Sequence, residues 1–186
     1  LRSLPKSMIV LGGGPIATEL GQFFCRMGSR TTLIQRSSHL YSSSDEDLAR
    51  PVEAKFREEG MSVYTGTRLT RFTRKERRIT AHFVQDGRYR RASAECVLQA
   101  MGRSPHLEGL GLEKAGVDVE NGRIVADDRM RTSKRNIFAA GGCVGLYELV
   151  HIAVEQGETA GHNAVTGTRK RSIDYRLRTE VVFTDP

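Results

Sequence analysis

Met8 to Gln35 reads MIVLGGGPIATELGQFFCRMGSRTTLIQ, and this stretch decides the fold. An apolar run from Met8 to Leu11 meets three glycines, Gly12, Gly13 and Gly14. Apolar residues then recur at Ile16, Leu20, Phe23, Phe24 and Met27, and a second strand-like run follows from Thr31 to Ile34. The switch from a continuous apolar run to helical spacing predicts strand, turn, amphipathic helix, strand.

The turn points to a dinucleotide. Gly12 and Gly14 permit a tight bend with no side chain between backbone and ligand, and Ala17 lets the helix lie close on the sheet. Pro15 suits the first helical position, where its missing N–H costs nothing. The backbone from Gly13 to Ile16 then offers a pyrophosphate the amide donors and positive end of a helix. A glycine turn of purely steric origin is the alternative. The end of the second strand is where the adenosine ribose would be read: an acidic residue there favours NAD, an arginine the 2′-phosphate of NADP. This chain has Gln35, Arg36 and Ser37, with no carboxylate to repel a phosphate and with a planar cationic fork to bind one. NADPH is the expected preference; the alternative is that Arg36 is one more exposed cation.

The composition bounds the rest. A length of 186 residues with 38% hydrophobic and 27% charged residues is globular rather than disordered. No apolar run reaches membrane-spanning length and no signal-peptide pattern is seen, so a cytoplasmic protein without membrane contact is expected. The 29 Lys and Arg against 22 Asp and Glu give a net charge of +7, spread over several segments without an aromatic-and-basic recognition motif, so an anionic cofactor is expected rather than nucleic acid. Cys25, Cys96 and Cys143 form neither a CxxC pair nor a zinc pattern, and no metal site is expected.

Further along, Leu1 to Ser7 reads as a linker. A second helix is expected from Ser44 toward Glu59, stopped by Gly60 and kinked or restarted at Pro51. Met61 to Thr65 reads as a third strand. Arg68 to Arg74, Arg78 to Gln85 and Tyr89 to Arg91, joined by tight turns at 75–77 and Asp86-Gly87, predict an antiparallel meander, with a return strand from Glu95 to Ala100. Beyond the turn at Gly102, residues 107–119 look irregular. Strands are expected at Gly122 to Val125 and Ile137 to Ala140, and a helix from about Leu149 to Val165 with Ile152, Ala153, Gln156, Ala160 and Ala164 on one face. The tail is basic from Thr168 to Arg171 and reads as extended from Glu180 to Phe183.

Several of these segments together resemble the pyridine nucleotide-disulfide oxidoreductases, which include dihydrolipoamide dehydrogenase, glutathione reductase and mercuric reductase. The resemblance rests on LGGGPIATEL, on AMGRSPH, similar to the family's ATGRxPN, on the IFAAGG run, similar to IFAAGD, and on LVHIAVEQG, similar to AHxAxxEG. It implies an α/β fold: a Rossmann-like NAD(P)-binding domain over residues 1–103, with a parallel sheet and a three-stranded antiparallel meander. A partial FAD-binding domain over 104–168 and the start of a dimer-interface domain over 169–186 would follow. Gly12 to Glu19 would hold the pyrophosphate and the nicotinamide end, with Glu19 near the reactive ring. Gln35 and Arg36 would meet the ribose, Gly102 the cofactor from the neighbouring strand, and Gly142 and Glu148 to His151 the FAD. On residue type alone, Glu19 and His151 read equally well as ordinary helix residues.

Departures from the family pattern qualify this. The FAD-binding GxGxxG, the redox CxxxxC and the interface His-Glu pair are not found, Gly142 replaces the flavin-binding aspartate, and Gln156 stands where the helix glutamate would be. The expectation is the pyridine-nucleotide-binding portion of a flavin enzyme that passes hydride from NAD(P)H to FAD, inactive as a fragment and dimeric only at full length. The alternative is a non-catalytic NAD(P)-binding module, or a remnant that docks on a flavin-bearing partner.

Overall fold

The computed structural model describes residues 3–167 and 169–185, so Leu1 and Arg2 of the expected linker, Thr168 of the basic tail and Pro186 lie outside the described residues. The chain divides into two compact units, one of residues 1–102 with 182–186 and the other of residues 103–181.

In the first unit, β1 (Ser7–Leu11) leads through α1 (Pro15–Arg26) to β2 (Arg30–Ile34), then through α2 (Glu46–Glu58) to β3 (Ser62–Tyr64). An antiparallel meander of β4 (Thr67–Lys75), β5 (Arg78–Gln85) and β6 (Arg88–Ala94) follows, and the chain returns in β7 (Cys96–Gln99). The parallel sheet has the order β3-β2-β1-β7, so β1 is central and the order reverses beside it. β1 is buried along its whole length, which is why it reads as a continuous apolar run. Its residues alternate: Met8 and Val10 join Ala49, Val52 and Phe56 of α2 in one core, while Ile9 and Leu11 join Ala81 and Phe83 of β5 in another. Helices thus cover one face of the sheet and the meander the other. Phe56 and Phe83 are fully buried, each contributing about 1.5–3 kcal/mol. The Asp86-Gly87 turn has positive φ at both residues, the geometry a two-residue hairpin needs.

One expectation holds in this unit and another changes. α1 turns its small residues inward: Ala17 and Gly21 are buried, and a Cβ on Gly21 would stand 3.3 Å from Met61 Cε. The large side chains of Ile16, Leu20, Phe23 and Met27 lie outside, because only the small face lets the helix approach the sheet closely. α2 begins at Glu46, with Asp45 at its N-cap, and runs unbroken through Pro51. The carbonyl that Pro51 leaves without a donor belongs to Asp47, an exposed residue one turn earlier.

The second unit holds α3 (Leu112–Ala115), a hairpin of β8 (Val119–Glu120) and β9 (Arg123–Ile124), and α4 (Val150–Val165). Its core gathers Val117, Ile124, Ala139 and Val144. The stretch 107–119 is less irregular than expected, since positive-φ glycines, Gly111 and Gly116, bound the single turn of α3. Ile137 to Ala140 forms no strand: only the Arg131–Phe138 bridge pairs it, and one bridge does not make a ladder. The buried face of α4 is Ile152, Gln156, Thr159 and Asn163, with Ala164 exposed; Gln156 and Asn163 are buried because each finds hydrogen-bond partners across the unit. Glu180 to Phe183 belongs to no strand.

Candidate functional site

The strand-order reversal beside β1 places the glycine turn where open α/β sheets bind ligands, outside the carboxyl ends of the strands. The three glycines differ in why they are needed. Gly12 has φ +117°, and a Cβ there would lie 2.1 Å from the Ala100 carbonyl oxygen at the end of β7. Gly13 lies over the Gln35 side chain, with 2.9 Å left to Cγ and Cδ. Gly14 has ordinary backbone angles, φ −86° and ψ −176°, and nothing within 4 Å of a Cβ built on it. The space over Gly14 is open, and no side chain caps the start of α1. These are the features a pyrophosphate requires: close approach, free amide donors at Ile16 and Ala17, and the positive end of a helix. Pro15 at the first helical position takes nothing from that set.

Tyr41 holds this turn in place. Its N–H donates to the Gly13 carbonyl at 2.7 Å, and its hydroxyl donates to Thr18 Oγ1 at 3.0 Å. Its φ is +50°, unusual for a residue with a side chain. Nothing in the sequence singles Tyr41 out, because its role depends on a contact with a helix 23 positions away.

At the end of β2, Gln35 is buried with its side chain folded under the glycine turn, and its Oε1 accepts the Arg36 N–H at 3.0 Å. The Gln35 carbonyl accepts from the Thr67 N–H and hydroxyl, and the Ser37 carbonyl from the Gly66 N–H. This brace leaves Arg36 exposed on a fixed backbone, with no ion pair among the described residues. Gly102 lies three residues beyond the end of β7, the strand that pairs with β1. The structure therefore brings Gly12 to Ala17, Gln35 to Ser37 and Gly102 to one edge of one sheet.

Glu19 points to another neighbour. Its carboxylate accepts the Phe183 N–H at 3.0 Å, and one turn on, Gln22 exchanges two hydrogen bonds with the backbone of Asp185. Arg26 bonds both the Asp185 carboxylate, at 2.7 Å, and Glu59 at the end of α2. Residues 183–185 thus run along α1, an arrangement the sequence did not announce.

The Arg26 guanidinium, followed by the Gln22 amide, holds the largely buried Glu59 carboxyl below the usual carboxylate range. Burial, and then the Glu59 charge, pushes the Cys25 thiol up, which keeps it protonated and unreactive at neutral pH. Below its unfolded value of about 4.3 the unfolded chain binds more protons at Glu59 than the folded chain does, so stability rises with pH there. This contribution is complete above about pH 4.3 and is lost as the pH falls through the folded value. Urea midpoints for the wild type and Glu59→Gln are expected to differ at pH 7 and to converge toward pH 3. A difference that stays constant over that range would remove Glu59 from the account.

Gly142 and His151 belong to the second unit. Gly142 is exposed with open space around its Cβ position, so nothing steric imposes glycine there. His151 is exposed and makes no side-chain hydrogen bond among the described residues. Gln156 is fully buried, accepting the Gly141 N–H at 2.6 Å and donating to the Tyr175 hydroxyl at 2.9 Å. A flavin ribityl chain would find no charged acceptor at Gly142, so this segment does not fit that group as an aspartate there would. Among the described residues no three His, Cys, Asp or Glu side chains gather as a metal site would require, and no helix is long and apolar enough to cross a membrane.

Comparison with known proteins identifies the family. Residues 1–157 match the family model described as pyridine nucleotide-disulphide oxidoreductase. The whole chain aligns with a mercuric reductase of Staphylococcus aureus at 33% identity, over 34% of that protein, and with a dihydrolipoyl dehydrogenase of Bacillus subtilis at 34% identity, over 40% of it. The crystal structure of LpdA from Mycobacterium tuberculosis superposes with a TM-score of 0.88 at 29% identity, covering 99% of this chain and 39% of that one. The HOCl-induced flavoprotein disulfide reductase RclA of Escherichia coli, solved as a Cu(II) complex, gives 0.83 at 28% identity, covering 95% and 39%. The chain spans about a third to two fifths of the length of the curated relatives it matches.

Proposed function

Since this chain belongs to the pyridine nucleotide-disulphide oxidoreductases, a family of flavin-dependent enzymes, we propose that its first unit is the part that holds the pyridine nucleotide, NADPH in preference to NADH. The observation that carries this reading is the glycine turn at the strand-order reversal, with open space over Gly14 and an uncapped helix start behind it. When bound, the nucleotide supplies a hydride for transfer to flavin in the complete enzyme. The chain's own residues bind and orient. Gly14 lets the pyrophosphate approach, the Ile16 and Ala17 amides donate to it, and Tyr41 fixes the turn. Arg36 meets the 2′-phosphate, with neutral Gln35 beneath it adding no repulsion.

Calorimetric titration with NADPH and NADH tests this. Charge-assisted hydrogen bonds are worth about 1.5–3 kcal/mol, so Arg36→Ala is expected to weaken NADPH by about tenfold or more and to leave NADH nearly unchanged. Equal losses for both nucleotides would overturn the 2′-phosphate role, and no binding of either would overturn the site. One observation favours a second reading, a nucleotide-binding module that docks on a flavin-bearing partner: the missing acceptor at Gly142. Purified chain that retains yellow flavin through gel filtration would exclude it.

A further inference from the structure

Seven of the 29 Lys and Arg residues fall in two short stretches, 129–135 and 169–171. Asn163 of α4 brings the two together. It is 1% exposed, and its Nδ2 donates to the Arg129 and Arg171 carbonyls at 2.9 and 2.8 Å, while its Oδ1 accepts the Arg171 N–H at 2.8 Å. Both stretches are thereby fixed through their backbones, and their side chains converge on a cleft lined by Arg129, Arg131, Arg135, Lys170, Asn163 and Phe138. The cleft measures about 60 Å³, several times the roughly 10–15 Å³ that one enclosed water needs.

Its charges are largely uncompensated. Arg131 bonds Asp127 at 3.1 Å through one nitrogen, leaving its other donors free, and the second Asp127 oxygen is taken by the Arg129 and Arg131 amides. Arg129 and Arg135 have no carboxylate partner among the described residues, and the Lys170 ammonium bonds only the neutral Asn163 carbonyl. Four cations therefore face one carboxylate, on a backbone that holds them together. Mutual repulsion in that arrangement is relieved by an anion, and planar guanidinium forks match the tetrahedral oxygens of a phosphoryl group better than a spherical ion.

We propose that Arg129, Arg131, Arg135 and Lys170 form a phosphoryl-binding site in the second unit, separate from the glycine turn of the first. Phosphoryl groups reach such a site as free phosphate or pyrophosphate, or at the end of a nucleotide. Asn163 acts as its positioning residue. A single aromatic at the wall, Phe138, gives no stacking platform for successive bases, which favours a small ligand over a nucleic acid.

Calorimetric titration of the Gly14→Ala chain, whose glycine turn no longer admits a pyrophosphate, with inorganic pyrophosphate and separately with ADP at constant ionic strength tests the proposal. Saturable one-to-one binding is expected. It should weaken at least tenfold in Arg135→Ala and in Lys170→Gln, and less than twofold in Arg90→Ala, which removes an equal charge from an exposed position on β6 of the other unit. Pyrophosphate binding as tightly as ADP supports free phosphate as the ligand, whereas ADP binding alone with the same loss in Arg135→Ala supports a nucleotide phosphate. Melting curves for Arg135→Ala and Lys170→Gln that match the wild type ensure that lost binding is not lost folding. Absence of saturable binding overturns the site, as does equal weakening by Arg90→Ala, which would mean a diffuse basic surface for polyanions. Gly14→Ala separates the two proposals, since it closes the glycine turn to a pyrophosphate and is expected to leave binding here unchanged.

Discussion

Gly12→Ala is expected to lower the melting temperature by more than about 6 °C. The added methyl would sit 2.1 Å from the Ala100 oxygen, well inside van der Waals contact, on a backbone with φ +117° that L residues rarely adopt. Neither neighbour yields easily. Ala100 is tied by its own N–H to the Leu11 carbonyl at 2.9 Å, and the Gly12 N–H donates to the Ile34 carbonyl at 3.0 Å. Relieving the clash means parting the ends of β1 and β7. Strain of this kind costs about 3 kcal/mol or more. At about 2–4 °C per kcal/mol for a chain of this size, the shift follows. A melting temperature within about 2 °C of the wild type would show that the two strand ends separate freely.

Gly14→Ala, the same change two positions on, is expected to fail in the opposite way. Its backbone angles suit any residue and its Cβ position is empty, so stability should fall by no more than about 1 kcal/mol, the ordinary difference between glycine and alanine at an N-cap. NADPH affinity should fall at least tenfold, about 1.4 kcal/mol, because the methyl stands where the pyrophosphate would approach the helix start. Calorimetry and a melting curve on one preparation give both numbers. Unchanged affinity would mean that the pyrophosphate does not cross this turn.

The parallel core and the meander were legible because each rests on a short-range signal: the unbroken apolar run of β1, the glycines after it, the Asp-Gly hairpin. The direction in which α1 faces was legible at Ala17 alone, and not in the apolar stripe. Periodicity marks a stripe of large apolar side chains at Ile16, Leu20, Phe23 and Met27, yet close approach to the sheet selects Ala17 and Gly21 for the interior. Pro51 does not restart α2, and the residue whose carbonyl it orphans, Asp47, is exposed. Tyr41 and the 129–135 and 169–171 cleft escaped for a common reason. Their roles depend on tertiary hydrogen bonds, through Gly13 and through Asn163, that no local pattern encodes.

Residues 183–185 fasten to Glu19, Gln22 and Arg26 only after the chain has passed through all of residues 103–181. On a ribosome, where emergence is vectorial, α1 appears well before the residues that fasten to its outer side. The hydrogen bonds of Glu19 and Gln22 to Phe183 and Asp185 wait until residues 103–181 have been made. That interval is when a nascent chain is open to chaperones and to unwanted association. An early stop codon anywhere before residue 183 would leave α1 in that unfinished state permanently, even with every strand of the parallel sheet in place.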